Sequence, residues 1–365
     1  MLKSKLTGKS KMTRPASKEP AQNITMQDIA DIVGVSKAAV SQALAGRGRI
    51  SKERRQVIIE TAQKLGFEPD PHARRLSTGS FDNLIGLFSL DLDLGTETLK
   101  LSHIHHLLIE RGFDVSLHAF GFLQMKEPVG AETMLRQLCR LKPRAIICNT
   151  RDLYEPVIQI LKPYQQSGGI VICYDSAIEL ACDQVIFDRG ENAAIAARYL
   201  IEAGHRRIGV HPGHRFPSDK RITSPRLAGF KAVLKSADVP LHQDWIFYSE
   251  RIYEEAGQEI ASQFLAIPQS KRPSAIYIVN DRAASAFVHA VIREGVNVPN
   301  EISIISDDDL PPASACLVPL TAVSQPVELI AETVIRFLEG RLINPELAPR
   351  TKIINGQLTR RDSVK

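Results

Sequence analysis

The ten residues KAAVSQALAG at 37–46 carry the clearest candidate chemistry. Wound as a helix, they put Val40, Ala43 and Leu44 on one face and Lys37, Ala38, Ser41 and Gln42 on the other. A lysine can donate to guanine O6 and N7. A glutamine can pair bidentately with adenine, and a serine near a helix N-terminus can hold a phosphate. Arg47, Arg49, Lys52, Arg54 and Arg55 follow and can grip a nucleic-acid backbone. A three-helix bundle with a merely basic surface would carry the same residues, so both readings stand at this point.

Other candidate chemistries are thinner. His103, His105 and His106 suggest a metal cluster, but on a helix 103 and 106 share a face while 105 diverges. No Cys or acidic side chain stands nearby at ligand spacing, so no metal site is expected. There is no Gly-rich phosphate loop of the Walker or Rossmann type, no GxSxG and no acid pair with an assignable role. Neither a cofactor nor an enzymatic activity is expected. The five cysteines are odd in number and form no CxxC pair, which fits reduced structural thiols in a reducing compartment.

The elements that must position the reading residues follow from caps and periodicity. Thr25 can N-cap a first helix, with Asp28 three residues on. Ile29, Ala30 and Val33 line its inner face and Gly34 ends it. Ser36 can cap the second helix. Ser51 can cap a third, KERRQVIIETAQKLG, with Val57, Ile58, Ala62 and Leu65 inward. The tight turn Val33-Gly34-Val35-Ser36 lets the second helix lie in a major groove. Residues 1–23 carry six Lys/Arg against one Glu, lack apolar periodicity and read as a disordered basic tail. Basic charge at this end is the footprint of a polyanion partner, or simply a solvated tail. After residue 70, Asp70, Pro71 and Gly79 bracket a helix of about two turns, marginal alone in water.

From residue 84 the texture changes. LIGLFSL, FDVSLHAF, RAIICN, IVICYD, QVIFD, RRIGVHP, SAIYIVN and EISIIS alternate with helical stretches. That rhythm indicates parallel βαβ units, and its length exceeds one typical domain, so two α/β lobes are expected. No apolar run is long enough to span a membrane, and no apolar stretch follows the basic N-terminus as in a secretory signal. The expected location is the cytoplasm.

Residues 24–70 resemble the N-terminal head of the lactose/galactose-repressor (LacI/GalR) family. The match runs through Thr25, Asp28, Ile29, Ala30, Gly34, Val35, Ser36, Val40 and Ser41 and closes on Leu65-Gly66-Phe67 and Pro69. The resemblance implies a DNA-binding set of Thr25, Ser36, Lys37, Ala38, Ser41, Gln42, Arg49, Ala73 and Leu76. In it, Leu76 belongs to a hinge helix that forms on DNA, and it acts as a minor-groove wedge. Ala39 stands where the family usually has Thr, and Gln42 where Arg is common. Gln42 is expected to read an adenine.

The body resembles the same family's effector domain through VIFDRGENAAIAARYLIEAGHRRIGVHPG, RLAGF, IVNDRAASA, ISIISDDD, LTAVSQP and RRDSV. This implies a two-lobed, periplasmic-binding-protein-like fold with a ligand cleft beyond the strand ends. Carried over singly, Arg226, Asn280, Asp281 and Asp308 match ligand-contacting positions, and Asp175 ends IVICYD near the matching cleft. Tyr253, or Ile252 beside it, can supply an apolar wall. One or more of the charged residues could instead form interlobe salt bridges. Ser306-Asp307 replaces the usual Gly and aromatic, which weakens the case for an ordinary neutral sugar and brings in a cationic or strongly hydroxylated effector, or none.

The expected architecture is an all-α helix-turn-helix head plus an α/β body. The segments are the tail 1–23, the head 24–70, a hinge helix and linker 71–83, and an effector-binding and dimerisation domain 84–365. The expected function is a sequence-specific transcriptional regulator, a repressor, controlled by a sugar-like effector. It would bind a double-stranded operator as a homodimer without membrane association. The alternatives are a regulator controlled by a protein partner, and a sugar-binding protein with a vestigial head.

Overall fold

A computed structural model of the chain describes residues 24–44, 50–67, 81–89, 95–119, 129–151, 153, 155–213 and 224–365. The basic tail, Arg47, Arg49, Asp70, Ala73, Leu76 and the short helix expected after residue 70 lie outside the described residues. The chain divides into two compact units, Met1–Gly79 and Ser80–Lys365.

The first unit holds α1 (Met26–Val33), α2 (Lys37–Leu44) and α3 (Lys52–Lys64). Each starts on a hydroxyl cap. The Thr25 hydroxyl accepts from Asp28 N at 3.3 Å while Asp28 accepts from Thr25 N at 2.7 Å, a reciprocal capping box. Ser36 Oγ accepts from Ala39 N at 3.2 Å, and Ser51 Oγ from Arg54 N at 3.3 Å. Gly34 ends α1 at φ 69°, where a side chain would be strained. Ile29, Ala30, Val40, Ala43, Ile58 and Ala62 form the buried core. Val57, expected inward, is 49% exposed. Neighbours on a helix diverge by about 100°, so the stripe through Ile58, Ala62 and Leu65 leaves Val57 outside.

The strands of the second unit are β1 (Phe81–Ser89), β2 (Asp114–Ala119), β3 (Pro143–Asn149), β4 (Ile170–Asp175), β5 (Asp183–Phe187), β6 (Ile208–His211), β7 (Ala275–Ile278), β8 (Ser303–Asp308), β9 (Thr321–Ser324), β10 (Thr351–Ile354) and β11 (Leu358–Thr359). β1 takes in residues 81–83, which the residue pattern assigns to the linker. The α-helices are α4 (Thr96–Glu110), α5 (Val129–Arg140), α6 (Glu155–Gln166), α7 (Arg189–Glu202), α8 (Ser224–Ser236), α9 (Tyr253–Ala266), α10 (Asp281–Arg293), α11 (Pro311–Ala315) and α12 (Val327–Ile343).

Two sheets make two lobes. The first has the order β10-β5-β4-β3-β1-β2 and its pairings are parallel. The second has the order β11-β9-β8-β7-β6, with β11 antiparallel. Parallel sheets are covered on both faces, which is why IVICYD and SAIYIVN read as continuous apolar runs. In the first lobe α4 and α12 pack one face and α5 and α6 the other. In the second, α9, α10 and α11 pack one face and α7 and α8 the other.

The described chain crosses between lobes after β5, after β9 and after β10. These crossings are stitched side by side. Asp188 N donates to Ile354 O at 3.1 Å, Ser324 N to Gln357 O at 2.8 Å, and Gly356 N to Asn192 Oδ1 at 2.9 Å. A Cβ on Gly356 would lie 2.3 Å from both Asn192 Oδ1 and Ser324 O, so only glycine lets the strands pass this closely.

Candidate functional site

The crossings leave a cavity of about 70 Å³ between the lobes. Glu97 and Arg151 line it from the first lobe. His211, Arg226, Ile252, Tyr253, Asn280, Asp308 and Gln325 line it from the second. In and beside it, short polar residues stand at strand ends, where the backbone turns sharply. Asp175 ends β4 at φ 97°, Asn280 follows β7 at φ 62°, and Asp308 ends β8 at φ 101°. Short polar side chains tolerate positive φ best, and such residues concentrate at ligand sites. Tyr253 at φ 54° is the bulky exception. The Arg282 guanidinium lies 3.9 Å above its ring and is itself held by Glu254 through two 2.7 Å hydrogen bonds.

Three consecutive aspartates take three roles. Asp307 is buried, and its Oδ2 receives both Nε and Nη2 of Arg226 at 3.1 Å. Its Oδ1 accepts from Asn192 Nδ2 at 2.8 Å. Asp308 faces the cavity and accepts from Gln325 Nε2 at 2.5 Å. Asp309 turns outward and takes Arg361 Nη2 and Thr359 Oγ1, each at 2.6 Å. Burial, then the charges of Asp307 and Glu97, push the Asp308 carboxyl up to about 7. Burial would lower the Arg226 pKa, but the Asp307 charge outweighs it and raises it.

The first lobe's wall is a buried charge network that Arg189, at the start of α7, joins from the second lobe. Lys100 Nζ lies 3.1 Å from Asp175 Oδ2 and 3.5 Å from Glu97 Oε1. Arg189 reaches Asp175 at 2.5 Å and Glu97 at 3.2 Å, and Arg151 reaches Glu97 at 2.8 Å. Burial alone would raise the Glu97 carboxyl. Arg151, Lys100 and Arg189 reverse that and hold it well below the usual carboxylate range.

Of the residues singled out from sequence, Arg226, Asn280 and Asp308 line the cavity together, with both Ile252 and Tyr253. Asn280 Oδ1 also caps α10, accepting from Ala283 N at 2.8 Å. Asp175 and Asp281 do not line it. Asp175 is consumed by Lys100 and Arg189. Asp281 accepts from Ser306 Oγ and Leu310 N, each at 2.5 Å, so it braces the β8 turn. Burial and then the Asp308 charge hold its carboxyl well above the usual range. Sequence reasoning missed Glu97, Lys100, Arg151, Arg189 and Gln325. Glu97 and Lys100 look like an ordinary exposed i,i+3 pair in TETLKLS. Gln325 could have been found, since it sits in the LTAVSQP segment already matched to the family.

The histidine cluster resolves differently. His106 makes an exposed i,i+4 contact with Glu110 at 3.1 Å. Among the described residues no group of three or more His, Cys, Asp or Glu could hold a metal, and no helix is long and apolar enough to cross a membrane.

In the first unit, Lys37, Ala38, Ser41 and Gln42 are exposed along α2, opposite buried Val40 and Ala43. Ser36 is exposed at the helix start. The Thr25 hydroxyl is engaged with Asp28, donating to its Oδ2 at 2.8 Å.

A helix-turn-helix unit in front of a two-lobed α/β body defines a class, the transcriptional regulators built on a periplasmic-binding-protein-like domain. Residues 25–70 match the profile of bacterial regulatory proteins, lacI family, and residues 197–364 that of the periplasmic binding protein-like domain. The HTH-type transcriptional repressor PurR of Escherichia coli O1:K1 / APEC is 26% identical over 341 residues, 93% of this chain and 96% of PurR. A lac repressor dimer bound to operator and the anti-inducer ONPF is similar at TM-score 0.78 and 20% identity, covering 94% of this chain and 99% of that one. The regulator CelR in complex with cellobiose is similar at TM-score 0.66 and 21% identity, over 93% and 99%. The chain belongs to the LacI/GalR family of DNA-binding transcriptional regulators.

Proposed function

We propose that this chain is a cytoplasmic, homodimeric repressor whose hold on an operator is set by a small polar effector, a sugar or sugar derivative, bound between the lobes. The observation that carries this reading is a cavity walled from both sides, by Glu97 and Arg151 of one lobe and Arg226, Asn280, Asp308 and Gln325 of the other. A ligand touching both walls binds the closed arrangement better than the open one, and only such a difference can shift the equilibrium between them. Arg and Asp side chains form the directional hydrogen bonds that fix a polyhydroxylated molecule. The sugar complex of the CelR neighbour supports the same class of effector. On DNA, Lys37, Ala38 and Gln42 read base edges, Ser36 and Ser41 hold phosphates, Arg49 grips the backbone, and Ala73 and Leu76 serve the hinge helix.

The test is fluorescence anisotropy of the full chain on an operator selected from random DNA, titrated with salt and with sugars and sugar derivatives. Affinity falling linearly in log–log form with salt is expected, as phosphate contacts require. At least one compound should change operator affinity. Salt-dependent binding that no compound alters would favour control by a protein partner, and no selected sequence at all would favour a vestigial head.

A further inference from the structure

We propose that the effector carries an ammonium group, seated against Asp308 and Gln325 on the second lobe's side of the cavity. This rests on reading the cavity as the effector site, and it narrows the ligand from polar to cationic.

The cavity's cations are already matched. Arg226 spends Nε and Nη2 on Asp307 at 3.1 Å. Arg151 meets Glu97 at 2.8 Å, and Arg251 lies 3.6 Å from Glu255. Asp308 has no cation within ion-pair distance among the described residues. The amide that donates to it presents a second acceptor, because Gln325 Oε1 is buried and accepts no hydrogen bond among the described residues. A buried acceptor left without a donor keeps its full desolvation penalty, so this end of the cavity wants donors. A hydroxyl brings one proton, whereas an ammonium brings three N–H groups and the missing charge. A carboxylate or phosphate would meet guanidiniums already neutralised and would sit against Asp308.

The groups facing Asp308 sharpen the consequence. Asp307 stands beside it on β8, Asp281 on α10, Glu97 on α4 of the opposite lobe, and Arg226 on α8. Burial, then the charges of Asp307 and Glu97, opposed by Arg226 and the Gln325 hydrogen bond, put the Asp308 carboxyl at about 7. A proton therefore occupies part of the Asp308 population at about pH 7. A bound ammonium displaces it, so R–NH₃⁺ and the neutral acid give an ion pair and a released proton.

The experiment is titration calorimetry of the full chain against small amines, each paired with its hydroxyl counterpart. Glucosamine against glucose is the first pair, and glucuronate is the anionic control. Runs in two buffers of different ionisation enthalpy count released protons. We expect an amine to bind at least about tenfold tighter than its hydroxyl partner, with fractional proton release at about pH 7. Asp308→Asn should abolish both the preference and the release. Gln325→Met should weaken the amine several-fold while keeping the release, so the test does not hang on one variant. Equal or tighter binding of a hydroxyl compound or glucuronate overturns the ammonium and leaves the effector reading standing. No heat with any compound overturns both.

Discussion

On α2, Lys37, Ala38, Ser41 and Gln42 lie within six residues, stand exposed, and lean on a core that needs nothing from them. In the cavity, Glu97, Arg226 and Asp308 come from three distant segments, are largely removed from water, and depend on neighbours for their charge state. The first surface is a set of independent contacts on a scaffold. The second is part of its scaffold, because Asp307 and Arg226, or Glu97 and Lys100, cannot be separated without stranding a buried charge. Substitutions should therefore change recognition without stability on α2, and stability together with recognition in the cavity.

The largest expected effect tests the second half of that contrast. Arg226→Met removes the guanidinium from Asp307 and leaves a buried carboxylate to which Asn192 still donates. Breaking a buried pair from one side costs about 3–5 kcal/mol. Urea unfolding of the body should show that loss, and adding Asp307→Leu should recover most of it. If Arg226→Met costs no more than a surface change, the cavity is not part of its scaffold.

These two regions also differ in how far the sequence revealed them. The helix caps Thr25, Ser36 and Ser51 and the stripe through Ile29, Val40 and Ile58 are local signals, so the head was legible nearly to the residue. Val57 escaped because periodicity cannot choose between adjacent apolar positions. The strands to β8 were visible as apolar runs, even the partly exposed β2, whereas β10 is short and mostly exposed, β11 is two residues long, and both are set by pairing across the crossings. Asn280 and Asp308 could be placed at strand ends from the family pattern. The partners around them, Glu97 facing Asp308 among them, are brought in by tertiary structure and leave no local mark. Asp175 at the end of β4 and Asp281 at the start of α10 show the cost, since each fits the family pattern yet is spent on the scaffold.

A core change in the head comes next in size. Ile58→Ala removes a side chain buried against Ile29 and Val40, with an expected loss of about 2–4 kcal/mol. A unit with so small a core should then melt well below the body. Calorimetry should show the head transition shifted or lost, the body transition unmoved, and operator binding weakened in proportion to the unfolded head. A matching shift in the body would mean that the two units unfold as one.

Gln42→Ala isolates recognition. Gln42 is exposed and supports no core contact, so its loss should leave both unfolding transitions in place. Discrimination at one half-site position should fall by about 1–3 kcal/mol, with adenine no longer preferred there. The check is a competition series over all four bases at each half-site position. Unchanged selectivity everywhere would remove Gln42 from the reading set.

The smallest effect falls on a residue claimed by both roles. The family pattern puts Thr25 among the DNA contacts, but its hydroxyl already accepts from Asp28 N and donates to Asp28 Oδ2. If capping is its work, Thr25→Ala should cost the head about 1 kcal/mol. Operator affinity should fall only as far as the head's folded population does, with selectivity intact. Thr25→Ser, which keeps the oxygen, should restore both. Should Thr25→Ser restore head stability but not affinity, the threonine methyl must touch DNA, and the line between scaffold and contact in the head would run through this side chain.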